Sequence, residues 1–196
     1  KQNRFNSGIQ QLKQEISNGS LGEIYYGTVR VRWSRREEYY AQDAWRGTWS
    51  LDGGVFSNQA SHHIDLLVWL LGRPLNVFGR IKTYANPIEV EDTGFGIIEF
   101  SSGATGLIEA TTAARPSDIE GSISILGSRG SVEIAGFAVN QIRHWKTLQV
   151  DSSKDHSVIE SLNENPDSVY GFGHEKYLRH AYDALNENGR SLVDGF

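Results

Sequence analysis

The sequence contains no cysteine and no methionine. Without cysteine there can be no disulfide and no thiolate metal site, and a reducing compartment is permitted. A translated frame begins with methionine, so a chain that opens on Lys1 and has none reads as a piece of a longer protein, or as one processed at its start. No charged-then-apolar leader and no apolar run of about 18 or more residues occurs. The expectation is therefore a cytoplasmic protein with no membrane partner. Positive charge is also scarce: 19 Lys and Arg stand against 24 Asp and Glu, a net charge of −5. That balance does not suit a nucleic-acid surface. Only four prolines interrupt the chain, and neither repeats nor low-complexity segments appear. The 196 residues that remain are enough to bury a core in one domain, taken as 1–196.

Periodicity supplies the elements. SGIQQLKQEISN, residues 7–18, reads as an amphipathic helix with Ser7 as its cap and Ile9, Leu12 and Ile16 on one face. EIYYGTVRVRWS reads as a strand over about 23–34, and residues 35–52 as a long irregular loop. After Gly53-Gly54, apolar residues at 60, 64, 67, 68 and 71 fit a helical face that Gly72-Arg73-Pro74 stops. From Val77 to Val150 the pattern becomes β: VFGRIKTYA, TGFGIIEF, ATGLIEATTA, EGSISILG, GSVEIAG and QIRHWKTLQV read as six successive strands joined by hairpins. Residues 151–169 read as a polar loop. HEKYLRHAYDALNENG reads as a last helix with Tyr177, Leu178, Ala181 and Leu185 inward. The fold class expected is α+β, a mostly antiparallel open sheet with helices on one face. The uncovered face, mild and rich in threonine along ATGLIEATTA, suits a homo-oligomer, a dimer or tetramer, as well as it suits solvent.

The chemistry concentrates in NQASHHIDLL. On a helix Asn58, His62 and Asp65 stand at i, i+4 and i+7 and so share a stripe, with Gln59 and His63 on the next. A histidine near a helix start is disfavoured as a cation, which makes it available as a neutral base. Three readings stay open on the residues alone. One or both histidines are hydrogen-bonded core residues; or His62, His63 and Asp65 ligate a metal, although adjacent histidines diverge on a helix; or His62 performs acid–base chemistry on a small polar substrate.

GGVFSNQASHHIDLLVWLLGRP resembles the signature that opens the C-terminal domain of the glucose–fructose oxidoreductase / inositol dehydrogenase / MocA-like family of NAD(P)-dependent sugar dehydrogenases. Gly53-Gly54, then Asn58 at the family's acidic position, His62, Asp65 and Leu71-Gly72 carry the likeness. Further motifs resemble the branch that oxidises UDP-linked N-acetylglucuronic acid at its 3-hydroxyl in lipopolysaccharide biosynthesis. They are Gln2–Asn6, Val31–Trp33 with Tyr39-Tyr40, Trp45–Trp49, Asn58–Leu67, Tyr170–His174 and Val193–Gly195.

The resemblance implies a substrate-binding and oligomerisation domain that lacks its Rossmann partner. The cofactor, NAD or NADP, would be bound mainly by that absent N-terminal domain, and no metal would be involved. It also implies a nucleotide-sugar substrate and catalysis by His62. Asn58 would orient the substrate, because an amide cannot act as a base. Asp65 would orient His62 or a backbone group. Arg32, Arg35 and Arg46 would meet the diphosphate and carboxylate, with Tyr40, Trp45, Gln59 and His174 beside them. The alternatives are another sugar or polyol dehydrogenase of the family, or a non-catalytic binding or oligomerisation module.

Overall fold

The computed structural model describes residues 1–148, 161–163, 171–186 and 192. The expected loop over 151–169 lies almost wholly outside them. So do Gln149 and Val150 of the last predicted strand, the Asn188-Gly189 helix end, Tyr170, and Val193–Gly195.

A 3-10 turn, Gln2–Phe5, leads into helix α1, Ser7–Ser17. Strand β1 is Ile24–Arg32, helix α2 Glu37–Tyr40 and helix α3 Ser61–Leu71. Six strands follow: β2 Pro74–Lys82, β3 Thr93–Phe100, β4 Thr105–Thr111, β5 Glu120–Gly127, β6 Gly130–Ala135 and β7 Gln141–Thr147. Helix α4, Gly173–Asn186, closes the described chain. The fold is α+β, as the patterning implied.

All seven strands form one sheet in the order β2-β3-β4-β1-β5-β6-β7. Every pairing is antiparallel except β1 with β4. The expected run of six hairpin-joined strands therefore breaks once. After β1 the chain crosses over through α3 and the β2–β3 hairpin, and β4 returns beside β1 in the same direction. Residues 112–119 then pass β1 to begin β5 on its far side. Local turn chemistry marks hairpins, but it carries no record of a strand inserted from earlier in the chain.

Helix α3 lies over this central parallel pair. Leu66, Leu67, Leu70 and Leu71 pack on Val29, Val31, Ile98, Ile108, Ile123 and Ile125, all buried. Gly27 and Gly106 are paired across β1 and β4. A Cβ on either would meet a Leu67 methyl at about 3.0 and 3.1 Å respectively, so the two glycines let the helix settle close to the sheet. Ile9 and Leu12 of α1 are fully buried as expected. The cap of α1 is Asn6 rather than Ser7, and its side chain reaches away from the helix to donate to the carbonyls of Ala138 and Val139.

Helix α4 departs from its expected burial. Leu178 and Leu185 are 63% and 83% exposed. The helix packs on the 3-10 turn, where Phe5 meets the rings of Tyr177 and His180 at 6.0 and 5.4 Å. That support is narrow, so it covers the 177/180/181 stripe and leaves the leucines outside. Among the described residues, no helix is long and apolar enough to cross a membrane.

Candidate active site

The start of α3 and the turn before it carry Asn58, Gln59, His62, His63 and Asp65. This segment is built from several turns rather than one continuous helix. Ser61 begins the helix, so Asn58 precedes it instead of sharing its stripe with His62 and Asp65. Backbone bonds from Asn58 N to Gly54 O and from Ala60 N to Val55 O coil the chain ahead of the helix, and the Ser61 hydroxyl donates to Asn58 O at 2.7 Å.

Two acids that the motif did not reveal hold this turn. Asp52 accepts from Gly47 N at 2.6 Å and from the Asn58 side-chain amide, which ties the preceding loop to the turn. Asn58 therefore keeps its carbonyl oxygen and one amide N–H for a ligand. Glu91 is buried beneath the glycine pair. Its main-chain oxygen accepts from Val55 N at 3.0 Å and its carboxylate from Phe56 N at 3.3 Å. A Cβ at Gly54 would fall 1.8–2.0 Å from that carboxylate, which is why this position is glycine.

His62 and His63 point apart. His63 is 1% exposed and turns into the core, edge-on to Trp33 at 5.9 Å. Burial first, and then the neighbouring His62, pushes its pKa down to about 3, so the ring is neutral. His62 is half-buried, and its Nδ1 is buried without a hydrogen-bond partner among the described residues. Its pKa is also lowered. Burial is the largest cause and the positive charge of Lys1 follows, while Asp65 acts in the opposite sense and His174 adds to the lowering. Lys1, Asp65 and His174 thus stand around His62.

Asp65 does not orient His62 as expected. Its carboxylate takes both ends of the Arg4 guanidinium, at 2.7 and 2.8 Å, and so ties the N-terminal segment to α3. Arg4 belongs to the Gln2–Asn6 motif, but nothing in the sequence marks Asp65, 61 residues away, as its partner.

The loop cations separate into two groups. Arg35 and Arg46 belong to a ladder of alternating rings and guanidinium groups that runs from the core outwards. Arg35 stands over Trp33 at 5.2 Å and over Tyr39 at 5.5 Å. Arg46 lies between Tyr39 and Trp45 at 4.3 and 4.6 Å. Arg35 also pairs with Asp118, and Arg46 with Asp43. The ladder touches the turn before α3 where Gln59 Nε2 donates to the Tyr39 hydroxyl at 3.4 Å, and touches α3 itself through Trp33 and His63.

Arg32 belongs elsewhere. Alternation along β1 puts it on the face away from α3, where Glu109 and Glu120 bind it at 2.6 and 3.3 Å. Tyr40 is likewise a packing residue. Its hydroxyl bonds Thr112 Oγ1 at 2.9 Å, and burial raises its pKa. Adjacent residues on a helix diverge by about 100°. It is Tyr39 that faces the guanidiniums, and the adjacent pair in the sequence offers no reason to prefer it.

Among the described residues, no group of three or more His, Cys, Asp or Glu is arranged to hold a metal ion. His62 and His63 diverge and Asp65 is held by Arg4, so the set His62, His63 and Asp65 does not converge on one point.

The sequence model of the GFO/IDH/MocA C-terminal domain matches residues 9–133. The WlbA dehydrogenase of Bordetella pertussis, solved with NADH and UDP-GlcNAcA, superposes with a TM-score of 0.91 at 43% identity, over 99% of this chain and 56% of that one. The WlbA dehydrogenase of Chromobacterium violaceum, solved with the same two ligands, superposes at 0.87 with 40% identity, over 99% and 54%. The levoglucosan dehydrogenase of Pseudarthrobacter phenanthrenivorans is 26% identical across 98% of this chain and 59% of its own length. The chain thus spans little more than half the length of the relatives it matches.

Proposed function

Because the chain belongs to the GFO/IDH/MocA oxidoreductase family, as a C-terminal domain, we propose that it is the substrate half of an NAD-dependent nucleotide-sugar dehydrogenase. The substrate is UDP-N-acetylglucuronic acid, oxidised at its 3-hydroxyl to supply sugars for lipopolysaccharide or O-antigen. The observation that carries this reading is the likeness, across nearly the whole chain, to two dehydrogenases solved with NADH and that nucleotide sugar.

The cofactor of this proposal is held outside the chain. Among the described residues no strand runs through a glycine-rich turn into a helix, the geometry that cradles a dinucleotide pyrophosphate. When bound, a nicotinamide supplies the acceptor for the hydride that leaves the sugar carbon.

The residues present handle the proton and the substrate. His62 is kept neutral by burial, and with Nδ1 facing the protein its Nε2 is the nitrogen that accepts the hydroxyl proton. The Asn58 carbonyl oxygen accepts from a substrate hydroxyl or amide, while Asp52 takes one of its two amide N–H groups and fixes the side chain. His174 stands close enough to act on His62 electrostatically and lines the same position. Arg46, and behind it Arg35, meet the diphosphate. Asp43 holds the Arg46 Nε, the rings of Tyr39 and Trp45 pack against the guanidinium, and the Nη edge is left for phosphate oxygens. Gln59 and Trp45 support that ladder, while Arg32 and Tyr40 have no part in it.

Arg46→Ala in the full chain tests the placement of the diphosphate. KM for the UDP-sugar is expected to rise about 10- to 100-fold with kcat within about threefold, the signature of a lost charge-assisted contact. An unchanged KM removes the ladder from the binding site.

The open face of the sheet is the surface for a second copy. A groove of about 740 Å³ crosses it, with Phe78, Phe95, Ile97, Leu107 and Tyr26 exposed along its apolar part and Arg30, Glu109 and Glu133 among its charges. An apolar patch of this kind on a sheet face is suited to burial against its own copy. Leu107→Glu puts an unpaired charge at its centre. It is expected to weaken self-association by at least about 100-fold, seen as a smaller mass by light scattering. An unchanged mass places the contact on another surface.

A further inference from the structure

We propose that one buried water molecule is an integral part of this fold, held where β1, β5, β6 and α3 meet by three groups: the indole Nε1–H of Trp33, a ring Nε2–H of His63 and the carbonyl of Gly136. It joins helix α3 to the strands through a contact that no side chain makes.

The chamber is defined by a glycine. A Cβ built on Gly121 of β5 would lie 3.2 Å from His63 Nε2, 3.4 Å from Gly136 O and 3.5 Å from Trp33 Nε1. Three polar atoms from three separate parts of the chain therefore converge on the space in front of one Cα. Trp33 Nε1 and both ring nitrogens of His63 are buried with no hydrogen-bond partner among the described residues. Leaving such donors bare costs each the full loss of its hydration. Buried waters characteristically make about three hydrogen bonds to groups of this kind.

Either tautomer of His63 satisfies the water, and the nitrogen left over decides between them. The indole can only donate. The His63 ring is neutral, because burial keeps its pKa at about 3, and so it carries one N–H. With that proton on Nε2, the water accepts from both rings and donates one proton to Gly136 O. That carbonyl already accepts from Val139 N at 2.9 Å and has a second lone pair. His63 Nδ1 is then a bare acceptor, a less costly orphan than a bare N–H. A metal ion does not suit the chamber, since His63 alone among these side chains can donate an electron pair. A substrate does not reach it, since His63 is 1% exposed.

Nuclear magnetic resonance on the full chain tests the site. Cross-relaxation peaks to water are expected from both the Trp33 indole proton and the His63 ring proton, and the nitrogen shifts of His63 are expected to place its proton on Nε2. A missing peak from either proton, or a proton on Nδ1, overturns the proposal. Gly121→Ala supplies an independent readout, because its methyl group would stand 3.2–3.5 Å from the same three atoms and crowd the water out. If the water is there, both peaks disappear and Tm falls by about 5 °C, as three polar atoms lose their partner. If the chamber is a dry void, the methyl fills it and Tm is unchanged or higher, which also overturns the proposal. Should that variant fail to fold, the measurement on the unsubstituted protein still decides.

Discussion

Replacing His62 by alanine in the full chain is expected to lower kcat by about 1,000-fold, while KM for the nucleotide sugar changes by less than about threefold. The asymmetry follows from geometry. The ring and hydrogen-bond contacts of the guanidinium ladder run through Trp33, Tyr39, Trp45, Gln59 and His63 rather than His62, so removing His62 takes away a proton acceptor and little of the binding surface. Burial provides the second half of the prediction. Because burial lowers its pKa, His62 stays neutral, and able to accept a proton, as pH falls through the ordinary histidine range. The acid limb of kcat/KM is therefore expected below about pH 6.5, and it should vanish from the residual activity of His62→Ala. An acid limb above that value, or a kcat within about tenfold of the unsubstituted protein, assigns the proton to another group. His174→Ala is the control, because it removes one of the groups that lower the pKa and leaves His62 in place.

Asp92→Ala is expected to produce the largest loss of stability, about 3–4 kcal/mol, or about 10 °C in Tm. Asp92 is fully buried just before β3. One carboxylate oxygen accepts from Tyr84 N at 2.9 Å and from the Thr93 hydroxyl at 3.0 Å, and the other from Ala85 N and Asn86 N at 2.7 and 3.2 Å. Alanine leaves those three main-chain donors without the acceptor that a fully buried carboxylate gives them. Asp92→Asn keeps one oxygen and is expected to cost about half as much. The effect reaches the site, because Glu91 alongside supports Val55 and Phe56, and Asp92 O accepts from Thr112 N, whose hydroxyl meets Tyr40. Thermal unfolding decides it, and a shift of less than about 2 °C contradicts the account of Asp92 as the acceptor for this turn.

The sequence made one layer of this molecule legible. Period-3.6 and period-2 patterns located α1, β1, α3 and the later strands to within a few residues, because most of them bury one face, although β2 is exposed along its whole length. The patterns failed where burial was decided from far along the chain. Leu178 and Leu185 carry a good helical stripe, yet the described support beneath α4 centres on Phe5. Glu37–Tyr40 form a helix too short to show a period, inside what read as loop. The parallel placement of β1 beside β4 left no local trace.

The site divided in the same way. His62, Asp65 and Gln59 were recognisable because the motif is contiguous. Their partners were not: Asp65 meets Arg4, Asn58 meets Asp52, and Gly54 rests on Glu91. Arg32 was misplaced for a simple reason. Alternation in β1 sends Arg30 and Arg32 to the open face and Val29, Val31 and Trp33 inward, and that distinction was available from the strand pattern. Choosing Tyr39 over Tyr40 required knowing where the short helix pointed.

The central claim is that this domain presents a nucleotide sugar to a neutral His62. The most direct measurement is the rate of NAD reduction by the full chain with UDP-N-acetylglucuronic acid, set against glucuronic acid, levoglucosan and a mixture of UDP with glucuronic acid. The account predicts turnover with the intact nucleotide sugar at a kcat/KM at least about 100-fold above the others, lost in His62→Ala. Equal or faster turnover of a free sugar, or turnover that survives His62→Ala, would contradict it.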